Sequence, residues 1–332
     1  MTVPVIKNLL TQHPNLKVTI VSNAFLQPLF EGLERCDFHP AFLKQQHKGA
    51  AGIFRLFKEL KSITTFDTII DLHSVLRSQL LTTFFKLAGF KTATVDKGRR
   101  EKKALTRKYN KVMQPLISMH ERYAAVFRKA GFALQLKYDE PIYQRQAIPN
   151  ALQAVFQPAK KIIGIAPFAQ YQEKMYPIQK MKLVVQQMAA ANYYVLLFGG
   201  GLTECTILQQ WEQEIFSVFN VAGKYALKDE LAIISNLDTM VSMDSANMHL
   251  ASLFGVPVVS IWGATHYFAG FNGWVQKETN MVQTDLYCRP CSVFGNKPCY
   301  RGDHACMQTI EEDSIVEKIK GIFRPPFLFK EG

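Results

Sequence analysis

The residues best suited to chemistry lie in the stretch 239–265. Asp244 and Ser245 close a short apolar run, 239–243, and His249 follows Ser245 four positions later. A short apolar run bounded by polar residues reads as a buried parallel strand. Aspartate and serine are good N-caps, so a helix should open at this pair. Gly255 and Pro257 should end it, and 258–262 reads as a second buried strand. A polar turn between a parallel strand and a helix start lies at the carboxyl edge of a sheet, where open α/β sheets bind ligands. The helix start offers free N–H groups and partial positive charge to an anion. Asp244 and Ser245 could also serve only as caps. His249 can share a helix face with Ser245, as a ligand group or as a partly buried histidine satisfied by backbone.

Three further groups carry chemical potential. Gly199, Gly200 and Gly201 join an expected strand to an expected helix, so the backbone there can approach a phosphate closely. Their spacing is not that of a full dinucleotide fingerprint. Glu204, just beyond, could accept ribose hydroxyls or simply favour the helix dipole as a first-turn acid. Lys174 sits in a polar loop after a strand, where a lysine can neutralise charge on a leaving phosphate or remain solvated. Finally, Cys288-x2-Cys291-x7-Cys299-x6-Cys306 places four thiols within reach of one tetrahedral site. Its first half is a zinc knuckle, whereas its second half lacks the usual close pair, so bound zinc and buried free thiols both fit. No base is paired with any of these thiols, which argues against a catalytic cysteine.

These residues need a scaffold of alternating strands and helices. In the first half, helices are expected over 3–10, 49–60, 78–87 and 119–130, with strands over 17–22 and 66–72. Ile53, Leu56, Phe57 and Leu60 form the apolar stripe of the second of these helices. Residues 139–158 hold three prolines and little periodicity, and read as a linker. Beyond it, strands are expected over 161–166, 193–198, 220–222, 239–243 and 258–262. Helices alternate with them over 178–191, 203–216 (with Thr203 as cap) and 228–235. Such alternation in both halves implies two parallel sheets with helices on both faces.

Composition narrows the class. The chain has 332 residues, 48% hydrophobic and 20% charged, as ordinary globular proteins do. That length suits two domains. No apolar run reaches the ~18 residues of a spanning helix, and no signal peptide precedes the first periodic segment, so the expected location is cytoplasmic. The net charge of +12 points to an acidic partner: nucleotide phosphate, an anionic membrane, an acidic glycolipid or nucleic acid. Residues 97–108 hold seven basic residues and one acid, either a solvated face or a clamp for an acidic partner. Nucleic acid is disfavoured, because no aromatic stacking pattern interleaves with these cations.

The chain resembles the lipopolysaccharide heptosyltransferases, glycosyltransferase family nine. The resemblance rests on Asp244-Ser245-x-x-x-His249-Leu-Ala, on Gly255-Val-Pro257 and on Trp262-Gly263-Ala-Thr265. It extends to Lys174-Met-Tyr-Pro177, to Gly199-Gly200 with Glu204, and to the cysteine-rich loop followed by Ile310. In the first half it includes Pro4 to Leu9, then Phe66 to Leu72 with Arg77. It implies the GT-B architecture of two Rossmann-like doubly wound domains facing across a cleft. The expected boundaries are 1–148 for the acceptor domain, 149–310 for the nucleotide-sugar domain and 311–332 for a C-terminal helix and tail.

The implied reaction is inverting transfer of a heptose from an ADP-sugar to the acidic inner core on lipid A, with no required metal, at the inner membrane periphery. Lys174 and Asp244 would be catalytic. The donor would be held by Lys174, Gly199, Gly200, Glu204, Asp244, Ser245, His249 and the amides of Ala246 and Asn247. Arg99, Arg100, Lys102, Lys103, His120 and Arg122 would meet the acceptor, and the basic stretch the acceptor or the anionic bilayer.

Two departures stand out. Ala246 occupies a position that the family usually gives to glycine, which restricts the backbone. Members usually begin with a strand and a Gly-Asp turn, whose aspartate is the proposed general base. Met1 aligns about three residues beyond that turn. Either the chain starts late, or as written it lacks a base. The latter leaves a second reading, a non-catalytic binder of nucleotide sugar or glycolipid.

Overall fold

The computed structural model describes residues 1–156 and 160–324. The end of the expected linker, 157–158, and the expected tail, 325–332, lie outside the described residues. The chain forms two compact units, Met1–Arg99 with Ile117–Ile142, and Arg100–Leu116 with Tyr143–Gly332. Residues 100–116 therefore leave the first unit and join the second, and the chain changes unit again at Ile142/Tyr143.

The first unit contains α1 (Thr2–Gln12), β1 (Val18–Ser22), β2 (Cys36–Pro40), α2 (Gly49–Ile63), β3 (Thr68–Asp71), α3 (Leu76–Leu87) and β4 (Lys91–Thr94). After α4 (Arg99–Leu105), α5 (Met119–Lys129) completes it. β1 pairs in parallel with β2, and β3 with β4, as two separate two-stranded sheets. The expected stripe of α2 is buried, and Leu56, Phe57 and Leu60 share a core with Ala41 and Phe85. Phe85 meets Phe57 edge-on at 4.9 Å, a favoured aromatic geometry. β2 and β4 were not anticipated. They are short, polar and partly exposed, and so lack the apolar run that marks a buried strand.

The second unit follows a regular alternation. It contains β5 (Ile162–Ala166), α6 (Ile178–Ala190), β6 (Tyr194–Leu197), α7 (Leu202–Glu214), β7 (Val218–Asn220) and α8 (Leu227–Ser235). There follow β8 (Thr239–Met243), α9 (Ala246–Leu253), β9 (Val258–Trp262), β10 (Met281–Gln283), α10 (Ala305–Gln308) and α11 (Glu312–Phe323). The six strands are all parallel in the order β10-β9-β8-β5-β6-β7. Every residue of β5, β8 and β9 is buried, the signature of a parallel sheet covered on both faces. Two expectations are corrected. Gly201, at φ +89°, caps α7 in place of Thr203, because only glycine takes that backbone without strain. β7 ends at Asn220 instead of beginning there, because its Oδ1 accepts the Ala222 N–H at 3.0 Å and turns the chain.

The order of strands has one consequence for ligands. The chain starts in the middle with β5, winds outward through β6 and β7, then returns to β8 and winds the other way. The reversal falls between β5 and β8, which are hydrogen-bonded neighbours. Diverging connections at such a switch point leave a crevice at the carboxyl ends of the two strands.

Candidate active site

Lys174 and Asp244 meet at that switch point. Lys174 lies in the loop after β5 and Asp244 directly after β8, and Nζ and Oδ2 are 3.0 Å apart. Both side chains are largely shielded, at 13% and 9% exposure, so water screens this pair less than a surface one. The pair sets one cation and one anion beneath the start of α9.

That start has room for an anion. Ser245 is the N-cap, as expected from its type, yet its side chain makes no cap hydrogen bond. Its Oγ turns back to Ser242 Oγ at 2.9 Å, and Asp244 is engaged by Lys174. The first-turn N–H groups of α9 are thus not taken by a side-chain cap, which is the arrangement that receives phosphate. Ala246 is exposed at the first helical position, and Asn247 and His249 are half-buried.

The glycine turn lies next along the sheet, after β6. Glu204 Oε2 accepts the Gly200 N–H at 2.7 Å and so closes its own loop. A side chain at Gly199 would come within 3.2 Å of Glu204 and 3.4 Å of Phe168. The bare backbone there lets the turn sit close against Leu208 and Glu204 of α7.

A supporting layer escaped the sequence reading. The turn Trp262–Thr265 after β9 is gripped by Arg289, which is 4% exposed. Arg289 donates to the carbonyls of Gly263 (2.6 Å), Trp262 (2.9 Å), Thr265 (3.1 Å) and Thr284, and to Gln283 Oε1 (3.0 Å). A guanidinium so satisfied fixes backbone rigidly. The same turn donates from Ala264 N–H to Glu173 O at 3.3 Å and accepts the Cys291 and Ser292 N–H groups on Ala264 O. Gly295, at φ +76°, lies against the stem of Lys174, where an added Cβ would come within 2.3 Å of Cγ. The cysteine-rich loop therefore walls the Lys174 side chain. The signal available was a buried arginine between Cys288 and Pro290, which no spacing rule identifies.

The cysteine-rich segment holds its four thiols as free cysteines. Among the described residues no group of three or more His, Cys, Asp or Glu side chains is placed to hold a metal ion. Cys306 belongs to the hydrophobic core with Met307 and Ile310, and burial pushes its thiol up to about 11. Burial and the neighbouring Cys299 and Cys288 likewise push Cys291 upward.

The residues expected to meet an acceptor are dispersed. Arg99, Arg100 and Lys103 are exposed, whereas Lys102, His120 and Arg122 are buried. Lys102 Nζ lies 4.4 Å from the Phe271 ring centre. Arg122 donates to Ile117 O at 3.3 Å and fills the space where Gly98 lacks a side chain. Burial pushes His120 down to about 3. Lys102, His120 and Arg122 are 5%, 3% and 6% exposed.

Residues 53–298 match the model of glycosyltransferase family 9 (heptosyltransferase). Lipooligosaccharide heptosyltransferase 2 of Campylobacter jejuni is 25% identical over 206 residues, 60% of each chain. The chain thus spans about 60% of the length of that relative. Lipooligosaccharide heptosyltransferase 2 of Haemophilus influenzae is 23% identical over 76% of both chains. Among solved structures, a family 9 glycosyl transferase from Veillonella parvula superposes with a TM-score of 0.71 at 16% identity, over 97% of this chain and 92% of that one. The E. coli heptosyltransferase WaaC with ADP gives 0.64 at 16% identity, over 97% and 95%. The shared fold is that of the GT-B glycosyltransferases.

Proposed function

The chain belongs to glycosyltransferase family 9, the heptosyltransferases, and on that premise we propose that it transfers a heptose from an ADP-sugar to an acidic lipopolysaccharide inner core, with inversion. The observation that carries this reading is the Lys174–Asp244 pair at the β5/β8 switch point, beneath the uncapped start of α9. WaaC of the same fold was solved with ADP and with ADP-2-deoxy-2-fluoro heptose, which supports a donor of that class here.

The acceptor hydroxyl attacks the anomeric carbon and releases its proton to water as the bond from that carbon to the phosphate oxygen breaks, and ADP leaves with the bonding electrons. Negative charge grows on the departing diphosphate. Lys174 and the N–H groups of Ala246 and Asn247 meet that charge, stabilisation being worth most in a shielded site. Asp244 holds Lys174 in place before the donor arrives and orients the sugar once it has. Glu204, already fixed by Gly200, takes the ribose, and His249 lies one turn along α9 from Ser245. The exposed Arg99, Arg100 and Lys103 serve the acidic acceptor. The protein works at the cytoplasmic periphery of the inner membrane, and no described helix is long and apolar enough to cross a membrane.

Calorimetry with ADP, followed by a transfer assay with ADP-heptose and a deacylated inner-core acceptor, tests the proposal. Binding with transfer supports it. ADP binding with no transfer supports the non-catalytic binder instead, and a folded protein that binds no ADP at millimolar concentration rejects both.

A further inference from the structure

Residues 107–113 and the cysteine-rich loop form one exposed aromatic and basic patch on the second unit. Lys108 Nζ lies 5.4 Å from the ring centre of Tyr109 and 5.0 Å from that of Tyr300. Arg301 lies 5.5 Å from the ring centre of Tyr287. Lys111 Nζ donates to Pro290 O at 2.7 Å and ties the segment to the loop. Tyr109 and Tyr287 are 73% and 74% exposed, and Phe294, Tyr300, Val112 and Met113 are exposed as well. A contiguous apolar patch rimmed by charge marks an interaction surface.

Charge says which partner it suits. The stretch 287–301 contains Arg289, Lys297 and Arg301 and no acid, and 107–113 contains Arg107, Lys108 and Lys111 and no acid. Arg289 is buried and spent within the fold. Asp303, 2.6 Å from Arg301, is the one acid paired at this edge among the described residues. Arg107, Lys108 and Lys297 remain exposed. Cations beside tyrosines and short aliphatics match a layer of anionic headgroups over acyl chains. They match single-stranded nucleic acid less well, because bases stack on aromatic faces in a groove that tracks the backbone, and this patch also holds aliphatic side chains. Val112 and Met113 can enter an acyl layer but cannot stack a base.

We propose that this patch docks the protein on an anionic lipid bilayer, with Tyr109, Tyr287, Phe294 and Tyr300 at headgroup level and Arg107, Lys108 and Lys297 on lipid phosphates. The inference deepens the proposed function, resting on it only for why the enzyme should meet a membrane. It also places aromatics beside cations of the basic stretch, where the sequence shows no interleaved stacking pattern. Separation in sequence hid them, since Tyr287 and Tyr300 lie far from Lys108 along the chain.

The test is sedimentation of the full chain with vesicles of phosphatidylcholine, alone or mixed with phosphatidylglycerol, at low and high salt. Wild-type protein should sediment with the anionic vesicles only, and salt should release it. Lys108→Ala combined with Lys297→Ala should weaken binding by about twenty-five-fold, from about five-fold per cation. Tyr109→Ser combined with Tyr300→Ser should weaken it as well, with the melting temperature unchanged. If the tyrosine variant fails to fold, the lysine variant decides alone. Absence of wild-type binding to anionic vesicles, unchanged binding in the folded variants, or tighter binding to single-stranded RNA than to vesicles would each overturn the proposal. ADP binding and transfer to the deacylated acceptor are measured alongside. Their loss with vesicle binding intact counts against the proposed function and not against the patch.

Discussion

Asp71 and Asp244 occupy equivalent places, each a buried carboxylate at the carboxyl end of a parallel strand, 4% and 6% exposed. Their partners differ. Asp71, ending β3, accepts the N–H groups of His73 (2.9 Å) and Ser74 (2.8 Å) and the hydroxyl of Ser78 (3.0 Å), all from its own turn. Asp244 is held by Lys174, seventy positions away in sequence, across the switch point. A carboxylate satisfied by its own turn is consumed in building that turn. One satisfied by a distant, shielded cation can exchange that partner for a ligand, because neither backbone depends on it. The first therefore reads as scaffold and the second as site.

This contrast can be broken experimentally. The largest effect is expected for Lys174→Ala, which should slow heptosyl transfer by about 10²–10³-fold, the usual result of removing one stabiliser of developing charge. A loss of less than ten-fold in single-turnover kinetics would place the charge stabilisation elsewhere.

Asp71→Ala should act in the opposite way. Stripping the acceptor from three donors should lower stability by about 3 kcal/mol while leaving ADP affinity unchanged. Urea denaturation beside calorimetry reads both, and weakened ADP binding by a fully folded Asp71→Ala protein would contradict the scaffold assignment.

Each unit also buries a histidine that should make it acid-labile. Burial depresses His120 from an ordinary 6.5 to about 3, and burial followed by Arg289 depresses His266 from 6.5 to about 4. Below pH 6.5 the unfolded chain binds protons that these folded sites refuse. Stability is therefore full above 6.5 and is lost as pH falls toward 4, on the order of 3 kcal/mol from His266. The urea midpoint of His266→Asn should vary less between pH 7 and pH 4.5 than that of wild type; equal slopes would refute the assignment.

The smallest effect is expected for Glu204→Gln. The amide oxygen can still accept the Gly200 N–H, so the loop should survive and ADP affinity should fall only about five-fold. A larger loss would give the carboxylate charge itself a role.

Legibility followed burial. β5, β8 and β9 were readable because strands buried on both faces require unbroken apolar runs. β1, only partly buried along its length, was still legible from its β-branched run, whereas β2 and β4 mix polar and apolar residues, so their sequences resemble loops. The cysteine-rich segment was only partly legible: spacing brought its four thiols near one another, as the mutual influence of Cys288, Cys291, Cys299 and Cys306 shows, but that Cys306 also packs into the core beneath α11 is a placement no local spacing encodes.

The sequence by itself determined the strand-helix alternation of the second unit, the helix start after Asp244, and the family of the chain. These follow from local periodicity, capping types and short motifs, which act over a few residues. Only the tertiary structure decided that Lys174 pairs with Asp244, that Arg289 and Gly295 support the Lys174 wall, and that Lys102, His120 and Arg122 are buried. It also brought Lys108 to Tyr300. Each of these depends on which strands become neighbours in a folded sheet or which loops meet at its edge. Such proximity arises from packing the whole chain, and no window of neighbouring residues contains it.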